Sequence, residues 1–128
     1  MNTLTRDEFT SAISQLADSV YDFNHRFGVP IRDPATVPDE SLTALRGRLS
    51  FLMEEIGEHS KGLNTGNLEE AILELADVAF VLLGTILITD ADGSKACLTV
   101  STKNDLKTTE THVFEKSSGK LIKRHTGK

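Results

Sequence analysis

The sixteen residues Leu73-Glu-Leu-Ala-Asp-Val-Ala-Phe-Val-Leu-Leu-Gly-Thr-Ile-Leu-Ile88 are uncharged and largely apolar except for Glu74 and Asp77. On a helical wheel of about 100° per residue, Glu70, Glu74, Asp77 and Val81 form one narrow stripe. Leu68, Ile72, Leu75, Ala76, Ala79, Phe80, Leu83 and Leu87 surround it. Such a helix is buried on most sides. Ionised carboxylates beside that surface are costly unless a cation or hydrogen-bond donors meet them. The run is too short for a membrane span and carries two acids too many, so it belongs in a protein core or a subunit interface. Residues 72 to 88 offer more apolar surface than three other short elements can bury. A homodimer or homotetramer is therefore expected.

The chain has 128 residues and a net charge of -5, which suits one soluble domain with a single core. The charge argues against a partner as acidic as nucleic acid and favours a divalent cation. The lone Cys97 rules out an intrachain disulfide framework, and the first residues lack the basic-then-apolar pattern of a secretory signal. The expectation is a cytoplasmic protein with no membrane segment and no internal repeat.

Thr5-Arg-Asp-Glu8 reads as a capping box opening the first helix, and Gly28 as its stop. Between them Phe9, Ile13, Leu16, Val20, Phe23 and Phe27 make one apolar seam. Most of that seam is core; Phe23, Asn24 and Phe27 are its candidates for touching a ligand as well. Pro30, Pro34 and Pro38 mark an ordered connector, a candidate cover for one edge of a site. A second helix follows, capped by Asp39 or a close neighbour, with Leu42, Leu45, Leu49, Leu52, Met53 and Ile56 on its apolar side. Arg48, Phe51, Glu55, Glu58 and Gly62 line the border of that side. The turn Gly62-Leu-Asn-Thr-Gly66 is short, and Asn67 with Glu70 reads as a second capping box, so the second and third helices are antiparallel neighbours. A short fourth helix is expected from Ser94 to about Asp105, with Ala96, Val100 and Leu98 inward. Val113 and Phe114 against Leu121 and Ile122 suggest a hairpin across Ser117-Ser-Gly119, the alternative being a basic tail. The fold class is all-α: an antiparallel bundle of three long helices plus a short fourth. Residues 1–106 form the helical catalytic domain, and residues 107–128 are a hairpin or tail of the same domain.

Carboxylates three residues apart on a helix project to one side. Glu55 with Glu58, and Glu74 with Asp77, can therefore face each other across the short turn as an oxygen cage. Hard cations bind such cages; magnesium fits best, with manganese as a substitute. No Glu-x-x-His pair supports a di-iron centre, and Cys97, His25, His59 and His112 lack paired zinc spacing. An acidic cage bearing magnesium is suited to phosphate chemistry. Lys103 and Lys107, close to Asn104, are the candidate phosphate holders. The competing structural reading is a solvated acidic face, with Glu55 or Glu58 bridged to Arg48 or Lys61.

The run Glu54-Glu55-Ile-Gly-Glu58, followed after fifteen residues by Glu74-Leu-Ala-Asp77 in an apolar helix, resembles the MazG-like all-α nucleoside triphosphate pyrophosphohydrolases. Lys103-Asn-Asp-Leu-Lys-Thr108, with Gly119-Lys-Leu-Ile-Lys-Arg124 after it, also looks like the end of many such proteins. The likeness covers roughly residues 5 to 110. It implies magnesium held by Glu55, Glu58, Glu74 and Asp77. Glu54 matches an extra acid, which either orients or deprotonates the attacking water or lies behind the ligands. It further implies hydrolysis of a nucleoside triphosphate between the α and β phosphorus. Asn104 and Lys107 match a segment that reaches the nucleotide, often across a subunit interface. Two other readings stay open: a relative acting on phosphoribosyl-ATP or dUTP, and a non-enzymatic helical oligomerisation module that retained the acids.

Overall fold

The computed structural model describes residues 3–125. Among them are four helices, α1 (Arg6–Arg26), α2 (Pro38–Asn64), α3 (Leu68–Leu87) and α4 (Ala91–Asp105), then a hairpin of β1 (His112–Glu115) and β2 (Lys120–Lys123). Residues 126–128 of the expected hairpin or tail, and residues 1–2 of the helical span, lie outside the described residues. The fold is all-α apart from that hairpin. The chain divides into two compact units, Met1–Ser94 and Lys95–Lys128. No single helix among the described residues is long and apolar enough to cross a membrane.

In the first unit, the Thr5 hydroxyl accepts from the Glu8 amide at 3.1 Å, and the Glu8 carboxylate accepts from the Thr5 amide at 3.3 Å. Together they satisfy two orphan donors at the start of α1. The helix ends in a Schellman motif. Gly28, at φ 63°, takes the left-handed position, the Val29 amide donates to the Asn24 carbonyl and the Gly28 amide to the His25 carbonyl. The same motif ends α2, where Gly66 stands at φ 73° and the amides of Asn67 and Gly66 donate to Gly62 and Leu63. Its last residue, Asn67, is also the N-cap of α3, accepting from the Glu70 amide at 3.1 Å. The expected reciprocal box is thus only half formed, because the Asn67 amide already serves Gly62. One residue closes α2 and opens α3, which holds the two helices antiparallel.

Helix α2 begins earlier than expected. Val37 is the N-cap and makes no side-chain bond; Pro38 opens the first turn, where a missing N–H costs nothing. Asp39 is therefore not a cap but, with Glu40, a first-turn acid favoured by the helix dipole. The connector docks on the far end of α3: the Arg32 amide donates to the Ile88 carbonyl at 2.8 Å, and the Ser41 hydroxyl to the Arg32 carbonyl at 2.6 Å. It does not edge the acids, since Ile88 lies roughly three turns beyond Asp77 on α3.

The face of α2 that meets α3 is not its most apolar one. Leu42, Leu49, Met53 and Ile56 are exposed in the single chain, whereas Ser41, Leu45, Arg48, Leu52, Glu55, His59 and Gly62 form the buried or half-buried stripe. Two features select that stripe. A Cβ at Gly62 would stand 2.9 Å from the Ala71 backbone, so only glycine permits this approach. Arg48 and His59 also find carbonyl partners on α3 (Val81 and Ala71). On the other side α1 crosses α3, with Val20 buried, Phe23 edge-on to Phe80 at 5.4 Å, and Gly84 leaving room for Val20 and Asn24.

The break after α3 is shorter than expected. Asp90 alone adopts a left-handed φ of 58°, Gly93 fits against Ile86 and Thr89, and α4 starts at Ala91 rather than Ser94. Ala96, Leu98 and Val100, expected inward, are exposed. In the second unit the hairpin has the expected register, Val113 opposite Ile122 and Phe114 opposite Leu121, with Gly119 at φ 70° in the turn. Arg124 closes it, donating from its amide to the Thr111 carbonyl and from Nε to the Thr109 carbonyl, both at 2.8 Å.

Candidate metal centre

The antiparallel α2–α3 hairpin carries Glu55 to the third helix at the level of Glu74 and Asp77. One carboxylate oxygen from each of the three lies within 4.8 Å of the others. Glu55 and Glu74 are half-buried and Asp77 is exposed, so the group sits at the rim of the helix contact with one side open. Glu58, one turn further along α2, is exposed and stands outside this group of three; Glu54 is exposed and outside it as well.

Among the described residues, no Lys or Arg forms an ion pair with the cluster. Among the described residues the one ion pair is Arg32 with Glu40, at 3.4 Å. Arg48, two turns before Glu55, turns instead toward α3. Its Nε donates to the Thr85 hydroxyl at 3.0 Å and its Nη2 to the Val81 carbonyl at 2.9 Å, while its guanidinium lies 5.4 Å from the Phe51 ring centre. Burial pushes the Arg48 pKa down. The solvated-face reading, in which Arg48 or Lys61 bridges Glu55 or Glu58, therefore finds no ion pair here.

The missing counter-charge is felt at Glu74, whose carboxyl is held above the usual carboxylate range. Partial desolvation is the first cause. The charge of Asp77, a hydrogen bond with Glu70, and the charges of Glu70 and Glu55 add to it. A set of carboxylate oxygens this close, with no ion pair to it among the described residues, has the donor chemistry for a hard divalent ion.

The other candidate residues have different surroundings. Asn24 on α1 is 7% exposed, and its Nδ2 is buried with no hydrogen-bond partner, beside Gly84 and Arg48. His59 is a tie between helices, its Nδ1 standing 2.7 Å from the Ala71 carbonyl. Lys103, Asn104 and Lys107 belong to the second unit. There the Asn104 Nδ2 donates to the Val100 carbonyl at 3.0 Å, and Lys107 Nζ donates to Asn104 Oδ1 at 2.9 Å. Sequence reasoning overlooked Arg48 and Gly84 as the anchor below the acids. The available signal was the spacing of Arg48, Glu55 and Gly62 at multiples of seven, with a glycine inside the apolar run.

Residues 20–104 match the family model of phosphoribosyl-ATP pyrophosphohydrolase. The match spans about two-thirds of the chain and includes Asn24, Glu54, Glu55, Glu58, Glu74, Asp77, Lys103 and Asn104, while Lys107 falls just beyond it. No curated protein and no solved structure matches the chain. Taken with the acid pairs on adjacent antiparallel helices, the match establishes a pyrophosphohydrolase of the MazG-like all-α superfamily, a hydrolase of phosphoric anhydride bonds: the chain belongs to the phosphoribosyl-ATP pyrophosphohydrolase family.

Proposed function

We propose that this chain is a magnesium-dependent nucleoside triphosphate pyrophosphohydrolase, converting a ribo- or deoxyribonucleoside triphosphate and water into the monophosphate and pyrophosphate. The observation that carries the reading is the uncompensated meeting of Glu55, Glu74 and Asp77 on two helices. These three would hold the ion, with Glu58 as the fourth carboxylate and manganese as a substitute. Magnesium, when bound, would neutralise the polyphosphate and acidify a water. Glu54, beside Glu55 and exposed, is the candidate to orient the water and take its proton. Lys103, Asn104 and Lys107 would hold phosphate. Residues 1–106 would form the catalytic domain, with the hairpin of 107–128 part of it, in a cytoplasmic enzyme.

A second reading, phosphoribosyl-ATP as the substrate, is favoured by the description of the matching family. The test is a screen of canonical, deoxy and oxidised nucleoside triphosphates, dUTP and phosphoribosyl-ATP included, for magnesium-dependent pyrophosphate release. Glu55→Gln and Asp77→Asn serve as controls. Release from one class names the substrate. No release from any, or equal release by wild type and controls, sinks the reading.

The same reading calls for a second copy of the chain. Leu42, Leu49, Met53 and Ile56 leave an apolar side of α2 uncovered beside the acid-bearing stripe, and residues of that kind are buried in obligate oligomers. Light scattering is expected to give a homodimer or homotetramer; a mass of 14.0 kDa, that of one chain, would remove the shared interface.

A further inference from the structure

We infer that His59 is a positioning residue for the metal centre: bonded to the Ala71 carbonyl, its ring sets the register of α2 on α3 that brings Glu55 to Glu74 and Asp77. The inference rests on the metal reading above and adds the side chain that holds the ligand-bearing helices in place. His59 Nδ1 stands 2.7 Å from the Ala71 carbonyl oxygen. A carbonyl only accepts, so Nδ1 carries the proton and donates it. The ring is half-buried, and the bond forms where the two backbones come close. One turn further along α2, a Cβ at Gly62 would stand 2.9 Å from the same Ala71 backbone. The ring acts through the helix rather than as a ligand, because the clustered ligand atoms belong to Glu55, Glu74 and Asp77, and His59 is outside that group.

Two side-chain ties bracket the acids. On the side away from the turn, Arg48 Nη2 donates to the Val81 carbonyl at 2.9 Å. On the turn side, His59 supplies the one side-chain hydrogen bond between α2 and α3 among the described residues. Glu55 lies four residues before His59 and seven after Arg48, while Glu74 lies three residues after Ala71 and seven before Val81. Because the helices are antiparallel, a single register satisfies both ties and sets Glu55 level with Glu74. A slip of one residue would carry α2 along by about 1.5 Å. Magnesium holds its oxygens at about 2.0–2.1 Å in near-ideal octahedral geometry, so a displacement of that size breaks the shell. The Arg48 end is doubled by the bond from Arg48 Nε to Thr85, whereas the turn end depends on one imidazole.

The test is the calorimetric affinity of the whole chain for manganese alone, with no nucleotide, in wild type and three variants. In His59→Asn the amide nitrogen stands as many bonds from Cβ as Nδ1 does, so it can still donate to Ala71. In His59→Gln the amide nitrogen takes the place of Nε2, and in His59→Phe a ring remains without a donor. His59→Asn is expected to bind manganese nearly as tightly as wild type. His59→Gln and His59→Phe should bind about 10-fold or more weakly, in line with the 10–100-fold attached to groups that orient metal ligands. Val20→Ala, which thins the buried contact of α1 on α3, should lower the melting temperature and leave manganese affinity as it was.

His59→Asn binding manganese no more tightly than His59→Gln would overturn the inference, and this comparison stands even if His59→Phe does not fold. A loss in Val20→Ala as large as that in His59→Gln would overturn it too, since the effect would then be one of general stability. The metal reading fails on a different result: manganese bound equally by wild type and Glu55→Gln would show that the acids are not the site, and the role of His59 would fall with them. Wild-type binding that Glu55→Gln loses and the His59 variants keep would refute the positioning role alone.

Discussion

Glu74→Gln is expected to raise the melting temperature of the metal-free protein at neutral pH, and in the same variant to abolish stabilisation by magnesium. Pyrophosphate release should fall by at least about 100-fold, given that even the groups that merely orient metal ligands are worth 10–100-fold. The sign follows from the carboxyl. Glu74 is held above its ordinary value of 4.5 by partial desolvation, by Asp77, by its hydrogen bond with Glu70 and by the charges of Glu70 and Glu55. A carboxyl raised in the folded state supports folding fully below the unfolded value, and that support is lost as pH rises through the folded value. In wild type without metal, stability should decline through the interval that begins at 4.5 and extends to the raised folded value. The glutamine variant, which has no charge to lose or gain, should show less of that decline. Protons and the cation compete for the same oxygens, so magnesium should stabilise wild type increasingly across the same interval. Melting curves over a pH series, with and without magnesium, check both halves. A variant that melts below wild type at neutral pH without metal would mean that the carboxylate is favourably paired after all.

Arg48→Ala is expected to destabilise the chain by about 2 kcal/mol, since charge-assisted hydrogen bonds are worth 1.5–3 kcal/mol, or roughly 8 °C in Tm for a chain of this size. Arg48 ties α2 to α3 through Thr85 and Val81. It also fills the space that Gly84 leaves, where a Cβ would stand 2.8 Å from its Nη2. Val81 would keep the Thr85 hydroxyl at 2.8 Å, which limits the loss. Arg48→Met retains the aliphatic stem without the bonds and separates packing from hydrogen bonding. Because Glu55 stands two turns further along the same stripe, magnesium should stabilise Arg48→Ala less than wild type. Urea unfolding with and without magnesium measures both effects. Wild-type stability in Arg48→Ala would show that the guanidinium is a passenger in the helix contact.

Much of this architecture could be read from local chemistry. Thr5 with Glu8, Gly28, Gly66 and Asn67 announce where α1 and α2 end or begin and force the tight turn into α3. The Ser117-Ser-Gly119 turn likewise sets the register of β1 on β2. These signals lie within a few residues of the backbone they control. The metal candidates were legible for a related reason: Glu74 and Asp77 share one helix face, and two charges in an apolar run need a partner. Asp39 shows the limit of local reading. Helix α2 starts two residues earlier, with Val37 at the N-cap and Pro38, whose fixed φ and missing N–H suit the first position, opening the turn.

What the sequence by itself determined is the set of helices, the α2–α3 antiparallel pairing and the acids available at the turn between them. Only the tertiary structure decided which α2 face meets α3. Hydrophobicity favoured Leu42, Leu45, Leu49, Leu52, Met53 and Ile56; of these Leu45 and Leu52 are half-buried, and they share the contact stripe with Arg48, Glu55, His59 and Gly62 while the other four stay exposed. Close approach at Gly62 and Ala71, together with side-chain donors that reach α3 carbonyls, depends on groups far apart in the chain, which no periodicity records. That choice brings Glu55 to Glu74 and Asp77, leaves Glu58 at the rim, and keeps the apolar side of α2 open.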